Sequence, residues 1–154
     1  MADLQVLVEN FTVISFGLMA GIYFVFSNTI MKALSNVEEN QAAQTMSQIN
    51  SCILNPIFFL LFWGSAAGSC IVVFLSFHND FSLAVLVGAV IFLIGSTVVT
   101  LVVNVPLNNR LQTAVLNSVS MLDVWPKYLN SWNSWNNVRT VSSGLAFILL
   151  VISI

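Results

Sequence analysis

Charged side chains are scarce in this chain, and they lie between or at the edges of four long apolar stretches. Four basic and six acidic residues are the only charged ones among 154, which is 6% of the chain. The apolar stretches comprise residues 11–31, 56–77, 82–103 and 138–154. At ~1.5 Å of rise per residue, helices of this length cross a ~30 Å hydrocarbon layer. A soluble domain of this size needs more charged surface, so we predict an integral membrane protein.

The backbone of a segment in lipid must satisfy its own hydrogen bonds, which favours helices. We therefore predict an all-α fold, a four-transmembrane-helix bundle that forms a single transmembrane domain over residues 1–154. Helical spacing of apolar residues predicts short amphipathic helices at one membrane face, around 38–53 and 108–121.

Capping and proline signals set the expected helix ends. Ser35 with Glu38 matches a capping box, and the pair Asn36 and Glu39 is an alternative shifted by one residue. The dipeptide 55–56, Asn-Pro, starts a new helix or kinks a continuous one, and the sequence leaves both open.

Two further prolines are expected to end helices. Pro106 should end the third span, and Pro126 should end the second amphipathic segment, with a final helix starting near Tyr128. A tight turn over 77–81, with Asp80 as a helix cap, should connect the second and third spans.

Basic residues predict the orientation. Lys32, Arg110, Lys127 and Arg139 all belong to the connections between spans 1 and 2 and between spans 3 and 4. The positive-inside rule places those connections in the cytoplasm and both termini outside, as expected for a bacterial inner membrane.

Polar and aromatic side chains are concentrated in the same two connections. Trp132, Trp135 and Arg139 share one side of a helix. Interfacial aromatic belts, headgroup snorkelling and helix capping explain such residues singly. Together they predict a shared binding site at one end of the bundle. Its candidate residues are Tyr23, Asn28, Asn50, Asn104, Asn108, Trp132, Trp135, Asn136 and Arg139.

Four segments carry a family resemblance. Residues 21–28 (GIYFVFSN), 46–50 (MSQIN), 104–108 (NVPLN) and 135–139 (WNNVR) resemble, in order and spacing, motifs of the DUF1772 (anthrone oxygenase-like) membrane family. Most members are bacterial proteins of unknown function, and a fungal subset is linked to oxidation of anthrones to anthraquinones. The resemblance implies the membrane fold and, more weakly, an oxidative activity.

No bound redox cofactor and no metal are expected. A haem, iron or copper site needs clustered His, Cys or carboxylate ligands. The one histidine, His78, is predicted at the opposite face, and Cys52 and Cys70 are too far apart along one helix to meet. No glycine-rich dinucleotide motif is present.

Three classes of function remain open. The first is a membrane protein whose polar site binds a small aromatic molecule, a membrane lipid or a partner protein. The second is a cofactor-free oxygenase of anthrone-like phenols, with Arg139, Asn104, Asn108 and Asn50 as candidate catalytic residues. A general base is the weak point of that hypothesis, with Asp123 as the only carboxylate in the connection between spans 3 and 4. The third is a small transporter.

Two sequence features bear on partners. GxxxG patterns at 17–21 and 64–68 favour close helix packing within the chain, with homo-oligomerisation as the alternative. No basic patch suggests nucleic acid.

Overall fold

The computed structural model describes residues 2–77 and 82–153, with the side chains of 2–5 left out. In this part of the chain five continuous helices form and no strand is present. Helix α1 comprises Ala2–Val25, a π-helical turn Phe26–Ile30 and Met31–Leu34. Helices α2, α3 and α5 are continuous α-helices, over Glu39–Ile53, Pro56–Ser76 and Met121–Val151 respectively. Helix α4 comprises Leu83–Phe92, two π-helical turns, Leu93–Val98 and Thr100–Asn104, and finally Val105–Leu116.

Three of these helices are long and apolar enough to cross a membrane. They cover Val6–Leu34, Pro56–Ser76 and Leu83–Leu116, in α1, α3 and α4. The prediction of an all-helical membrane protein is therefore confirmed. The fourth predicted stretch lies in the second half of α5, a helix whose first half is rich in asparagine and serine.

The four long helices pack around a shared interior. Helix α1 contacts α3 and α5, and α4 contacts the same two helices. The short helix α2 packs against the last part of α4 and against α5. In this arrangement α2 covers one end of the interior formed by the long helices.

Buried apolar side chains form two clusters stacked along the helices. The inner cluster lies among the long helices, and its central contact is a parallel stack of Phe16 on Phe92 with ring centroids 3.9 Å apart. The end cluster joins α2 to the ends of α1, α4 and α5 through Met46, Leu111 and Trp125. Helix α5 runs through both clusters, so its middle lies where they meet.

Close helix contacts explain one glycine pattern. A Cβ at Gly64 would meet the Phe11 ring, and one at Gly68 would collide with the Thr12 hydroxyl, so α3 approaches α1 closely at this pattern. The GxxxG pattern at 64–68 thus serves packing within the chain. Nothing lies within 4 Å of a Cβ built at Gly21 in the other pattern.

The residue that caps α2 differs from both predicted alternatives. Glu38 caps α2, since its carboxylate accepts from the backbone N–H of Gln41 at 3.0 Å. Ser35 ends α1 instead, where its hydroxyl donates to the Lys32 carbonyl. Of the two alternatives at 55–56, the structure shows a new helix, because Asn55 Oδ1 accepts from the Phe58 N–H at 3.1 Å.

Neither proline ends a helix as predicted. Helix α4 continues through Pro106 to Leu116, because the π-helical turns before the proline already depart from regular α-helical bonding and accommodate its missing N–H. Helix α5 begins at Met121 and contains Pro126 near its start, so the final helix begins earlier than Tyr128. The chain reverses between α4 and α5 at Ser118, which has a φ of 52°.

The predicted turn over 77–81 lies largely outside the described residues, as do Asp80 and His78. Ser82, rather than Asp80, caps α4, since its hydroxyl accepts from the Ala84 N–H at 3.3 Å.

Candidate functional site

A cavity of about 300 Å³ lies between the inner cluster and the end cluster. All five helices contribute to its wall, α3 through Phe58 alone. Its lining comprises Ile22, Tyr23, Phe26, Ser47, Asn50, Ser51, Ile53, Leu54, Phe58, Thr100, Asn104, Val105, Asn108, Asn109, Gln112, Trp132 and Arg139. Apolar and uncharged polar residues dominate, and Arg139 is the one charged residue.

Arg139 is a buried cation without an acidic partner among the described residues. Its guanidinium donates from Nη2 to Asn136 Oδ1 at 2.6 Å and from Nη1 to Thr100 Oγ1 at 3.3 Å, and both acceptors are uncharged. Only 5% of the residue is exposed. A buried charge usually has a counter-ion, because desolvating it alone is expensive. The net positive charge at this cavity is therefore uncompensated.

The guanidinium of Arg139 lies over the faces of two aromatic rings. Its Cζ lies 4.4 Å from the ring centroid of Tyr23 and 5.1 Å from that of Trp132. Such cation–π contacts attract a desolvated cation by about 2 kcal/mol each. They lower the cost of burying Arg139 without neutralising its charge.

Asn136 fixes Arg139 to α1. Its amide nitrogen donates to the Tyr23 carbonyl at 2.8 Å and to the Ser27 hydroxyl at 2.6 Å, while its oxygen accepts from Arg139. Asn136 is fully buried. Ser27 lies in the π-helical turn Phe26–Ile30, and Tyr23 lies one turn before it. The guanidinium orientation is therefore fixed by two helices.

Three buried polar atoms of cavity-lining residues have no hydrogen-bond partner. They are Nε of Arg139, Nε1 of Trp132 and Oδ1 of Asn104. The side-chain nitrogen of Asn104 does have a partner, since it donates to the Trp132 carbonyl at 3.3 Å. Buried polar groups are nearly always paired, so unpaired ones beside a cavity indicate a place for a ligand or water. The set offers two N–H donors and one acceptor.

A second polar group joins α2, α4 and α5. The hydroxyl of Tyr128 donates to Asn108 Oδ1 at 2.9 Å and accepts from the Asn50 amide at 3.4 Å. Burial raises the pKa of Tyr128 above its ordinary value, against weaker opposing effects of the Asn50 hydrogen bond and the Arg139 charge. The phenol therefore stays protonated at neutral pH and remains a donor to Asn108.

The structure brings together most of the residues predicted from the sequence. Six of them line the cavity, namely Tyr23, Asn50, Asn104, Asn108, Trp132 and Arg139. Asn136 lies directly behind Arg139.

Asn28 and Trp135 lie apart from this group. Asn28 is exposed and bonds only to the neighbouring Thr29 among the contacts described. Trp135 is 42% exposed. The buried stripe of α5 runs through Trp132, Asn136 and Arg139, and Trp135 falls at its edge because each residue turns the helix by about 100°.

Other site residues were missed from the sequence. Thr100 lies in a segment predicted as an apolar span, where nothing local marks it as part of a site, and Tyr128 lies at a predicted helix start. Phe26 tilts against Trp132 with ring centroids 5.5 Å apart and closes one wall. The helical spacing of Tyr128 with Trp132 and Arg139 was the available signal.

The lining limits the chemistry that the cavity supports. No carboxylate, imidazole or thiol lines it, and the described residues hold no group of three His, Cys, Asp or Glu side chains. Its distinctive features are an uncompensated cation, unpaired N–H donors and flat aromatic walls. These features suit an uncharged or anionic planar molecule with an oxygen atom facing Arg139.

Comparison with known proteins gives one family. A family model described as anthrone oxygenase matches residues 58–149, more than half of the chain. No curated protein and no solved structure matches the chain. The matched region covers α3, α4 and most of α5, and so includes Asn104, Asn108, Trp132 and Arg139. The family expected from the four sequence motifs is thereby confirmed, and this chain belongs to the anthrone oxygenase (DUF1772) family.

Proposed function

We propose that the cavity binds a planar aromatic ketone or phenol as its oxyanion, and that the protein is a cofactor-free oxygenase of anthrone-like compounds. The observation that carries this proposal is the buried, uncompensated guanidinium of Arg139 at the cavity wall. Nε of Arg139 and Nε1 of Trp132, two N–H donors of cavity-lining residues, also have no hydrogen-bond partner among the described residues.

The size and walls of the cavity support a ligand of a few fused rings. A volume of about 300 Å³ lies at the lower end of small-molecule pockets, roughly 300–1,000 Å³. Phe26, Phe58 and Trp132, from three different helices, offer aromatic surface to such a ligand. Stacking against such rings contributes about 0.5–1.5 kcal/mol per pair beyond area burial.

The proposed reaction begins with loss of a proton from the central methylene carbon of the anthrone, which places negative charge on the ketone oxygen. Arg139 and Trp132 stabilise that oxyanion and so make the carbon more acidic. The proton passes to water on the polar side of the cavity, where Asn109 and Gln112 lie.

The electron-rich carbon then transfers electrons to O₂ and forms a carbon–oxygen bond, giving a hydroperoxide once a proton is taken up. Loss of the second methylene proton and cleavage of the O–O bond release water and leave a new carbonyl group. Anthrone and O₂ thus become anthraquinone and water, with the substrate oxidised and O₂ reduced. The chain's own contribution is to position the rings and stabilise the anion.

A second candidate function rests on the same unpaired charge. A phosphate of a lipid headgroup or a carboxylate of a partner protein would also neutralise Arg139. In that case the protein would be a membrane subunit or lipid-binding protein without turnover.

Oxygen uptake by purified protein with an anthrone separates the two candidates. Arg139→Lys keeps the charge but loses the planar donor set, so uptake above background should fall on the order of 100-fold. Arg110→Lys is the matched control, since Arg110 is exposed and outside the cavity, and its uptake should equal wild type. Wild-type uptake at the spontaneous rate would contradict the oxygenase. Loss of a co-purifying lipid or protein from Arg139→Lys would then support the second candidate.

We also propose that α5 crosses the membrane as a fourth span, giving a four-transmembrane-helix bundle with both termini outside a bacterial inner membrane. Its second half packs on α1 and α4 among the apolar residues of the inner cluster, through Ala146 and Leu150. Lys32, Arg110 and Lys127 then lie at the cytoplasmic face.

A further inference from the structure

The cavity has a mouth on the side of the molecule. Most of its lining is buried or half-buried, but five lining residues are exposed: Ser51, Leu54, Val105, Asn109 and Gln112. They come from two places only, the end of α2 with its link to α3, and the segment of α4 that follows the second π-helical turn. The opening therefore lies between the start of α3 and the second half of α4.

A change of packing along α4 creates this opening. Helix α3 packs along the first part of α4, over Leu83–Phe92 and Leu93–Val98. Beyond the π-helical turns, Val105–Leu116 packs against α2 and α5 instead. Each π-helical turn holds an extra residue and shifts the faces of the helix that follows. The main packing of α3 on α4 thus ends before Val105–Leu116.

The mouth lies across a boundary between apolar and polar surface. On the α3 side and along the adjoining part of α4, large apolar residues are exposed, with Leu54 at 57%, Ile57 at 73% and Leu101 at 43%. The later part of α4 contributes Val105 and then the polar Asn109 and Gln112, and the end of α2 contributes Ser51. Leu101 lies nearer the middle of Leu83–Leu116, a helix long and apolar enough to span a membrane, and Gln112 lies nearer its end, so an apolar rim towards lipid and a polar rim towards the membrane interface fit this helix.

We infer that the ligand of this cavity reaches it from the bilayer, through the gap between Leu54 with Phe58 on one side and Val105 on the other. The substrates are then lipophilic aromatic compounds dissolved in the membrane, and water-soluble conjugates of the same ring system are excluded. Val105 is the residue that sets the width of the opening. This inference rests on the proposed function, since it concerns the ligand of the same cavity.

Ligand association should therefore depend on how strongly the ligand partitions into the membrane. A ligand that partitions into lipid is concentrated near the mouth, so its association rate follows its concentration in the bilayer. A ring system that carries a sulfonate stays in water, because moving a charge into hydrocarbon is costly. The polar rim of Asn109 and Gln112 still admits water, which the chemistry requires.

The test uses dihydroxyanthraquinone and its sulfonate as probes, with the protein in nanodiscs of phosphatidylethanolamine and phosphatidylglycerol. A change in the visible absorption of dihydroxyanthraquinone as it binds beside Arg139 measures association, so tryptophans added by substitution do not enter the signal. Val105→Trp should slow association of dihydroxyanthraquinone at least tenfold. Ile94→Trp adds the same bulk to an exposed position of α4 outside the cavity and should associate at the wild-type rate. Wild type should not bind the sulfonate.

Two results would overturn access from the bilayer while leaving the binding site intact. One is a wild-type association rate in Val105→Trp, and the other is equal binding of the sulfonate and the parent compound. Failure of the wild type to bind either probe would instead overturn the proposed function, and the access route with it. An unchanged circular dichroism spectrum and unfolding temperature of Val105→Trp exclude a folding defect as the cause of slow association.

Discussion

At the scale of single residues, the site is defined by an arginine that has no counter-ion in the part of the chain that the structure describes. Arg139 rests on Asn136, Thr100, Tyr23 and Trp132, and none of these supplies negative charge at neutral pH. Replacing a neutral partner with an acid should therefore fill the electrostatic role that we assign to a ligand.

Asn136→Asp tests this directly. The substitution places a carboxylate where Arg139 Nη2 now donates to an amide oxygen at 2.6 Å. We expect affinity for dihydroxyanthraquinone, measured as its anion, to fall at least tenfold. Stability should also drop by about 1–3 kcal/mol, because the Tyr23 carbonyl loses its donor. Asn137→Asp adds the same charge at an exposed neighbour and should change neither quantity. Unchanged affinity in a folded Asn136→Asp protein would contradict the charge argument.

Much of this residue set could be predicted from the sequence, and the reason is periodicity. Trp132, Asn136 and Arg139 recur at helical spacing, and intramembrane polar residues tend to face the protein interior. Trp135 shows the limit of the method. It shares the motif and the approximate side of the helix, yet packing of α5 against α1 leaves it at the edge of the buried stripe.

At the scale of helices, Tyr128 connects three elements through one hydroxyl. Helices α2 and α4 contribute cavity walls through Asn50 and Asn108, and both bond to this phenol of α5. Tyr128 itself does not line the cavity, so it acts by positioning the two asparagines.

Tyr128→Phe should lower stability by about 1–3 kcal/mol and weaken probe binding without abolishing it. The pH dependence has a definite sign. The pKa of Tyr128 is raised in the folded protein, so its contribution to stability is complete below the ordinary value of 10.0 and declines as pH rises above it. The wild type should therefore lose stability above about pH 10 more steeply than Tyr128→Phe. Parallel alkaline unfolding curves would contradict this role.

Helix boundaries were harder to predict than helix positions. Capping chemistry correctly marked Asn55 and Pro56 as a possible new helix, and only the packing of α2 could decide for it over a kink. The predicted helix end at Pro106 was wrong. Proline is expected to stop a regular helix, and the π-helical turns of α4 are not visible in sequence patterns. Those turns also create the side opening of the cavity, so the access route could not have been predicted without the structure.

At the scale of the whole molecule, the number of membrane crossings depends on α5. Three helices are apolar enough to span the membrane. Helix α5 is less apolar because it carries Asn136, Asn137 and Arg139, but Asn136 and Arg139 are buried against α1 and α4 rather than facing lipid. Such polar residues lower the average hydropathy of a helix even where packing has buried them away from lipid.

The locations of the two termini decide between three and four crossings. With four crossings both termini lie on one side of the membrane, and with three they lie on opposite sides. We expect a reporter enzyme that is active only outside the cytoplasm to be active when fused to either end of the chain in a bacterial host. A reporter that requires the cytoplasm should work when inserted near Asn117, between α4 and α5, or near Asn36, between α1 and α2, and should fail at either end of the chain. Activity of the outside reporter at the first residue but not at the last would show that α5 does not cross. The membrane-facing access route would survive that result, since Leu101 and Val105 belong to α4, whereas the four-span bundle would not.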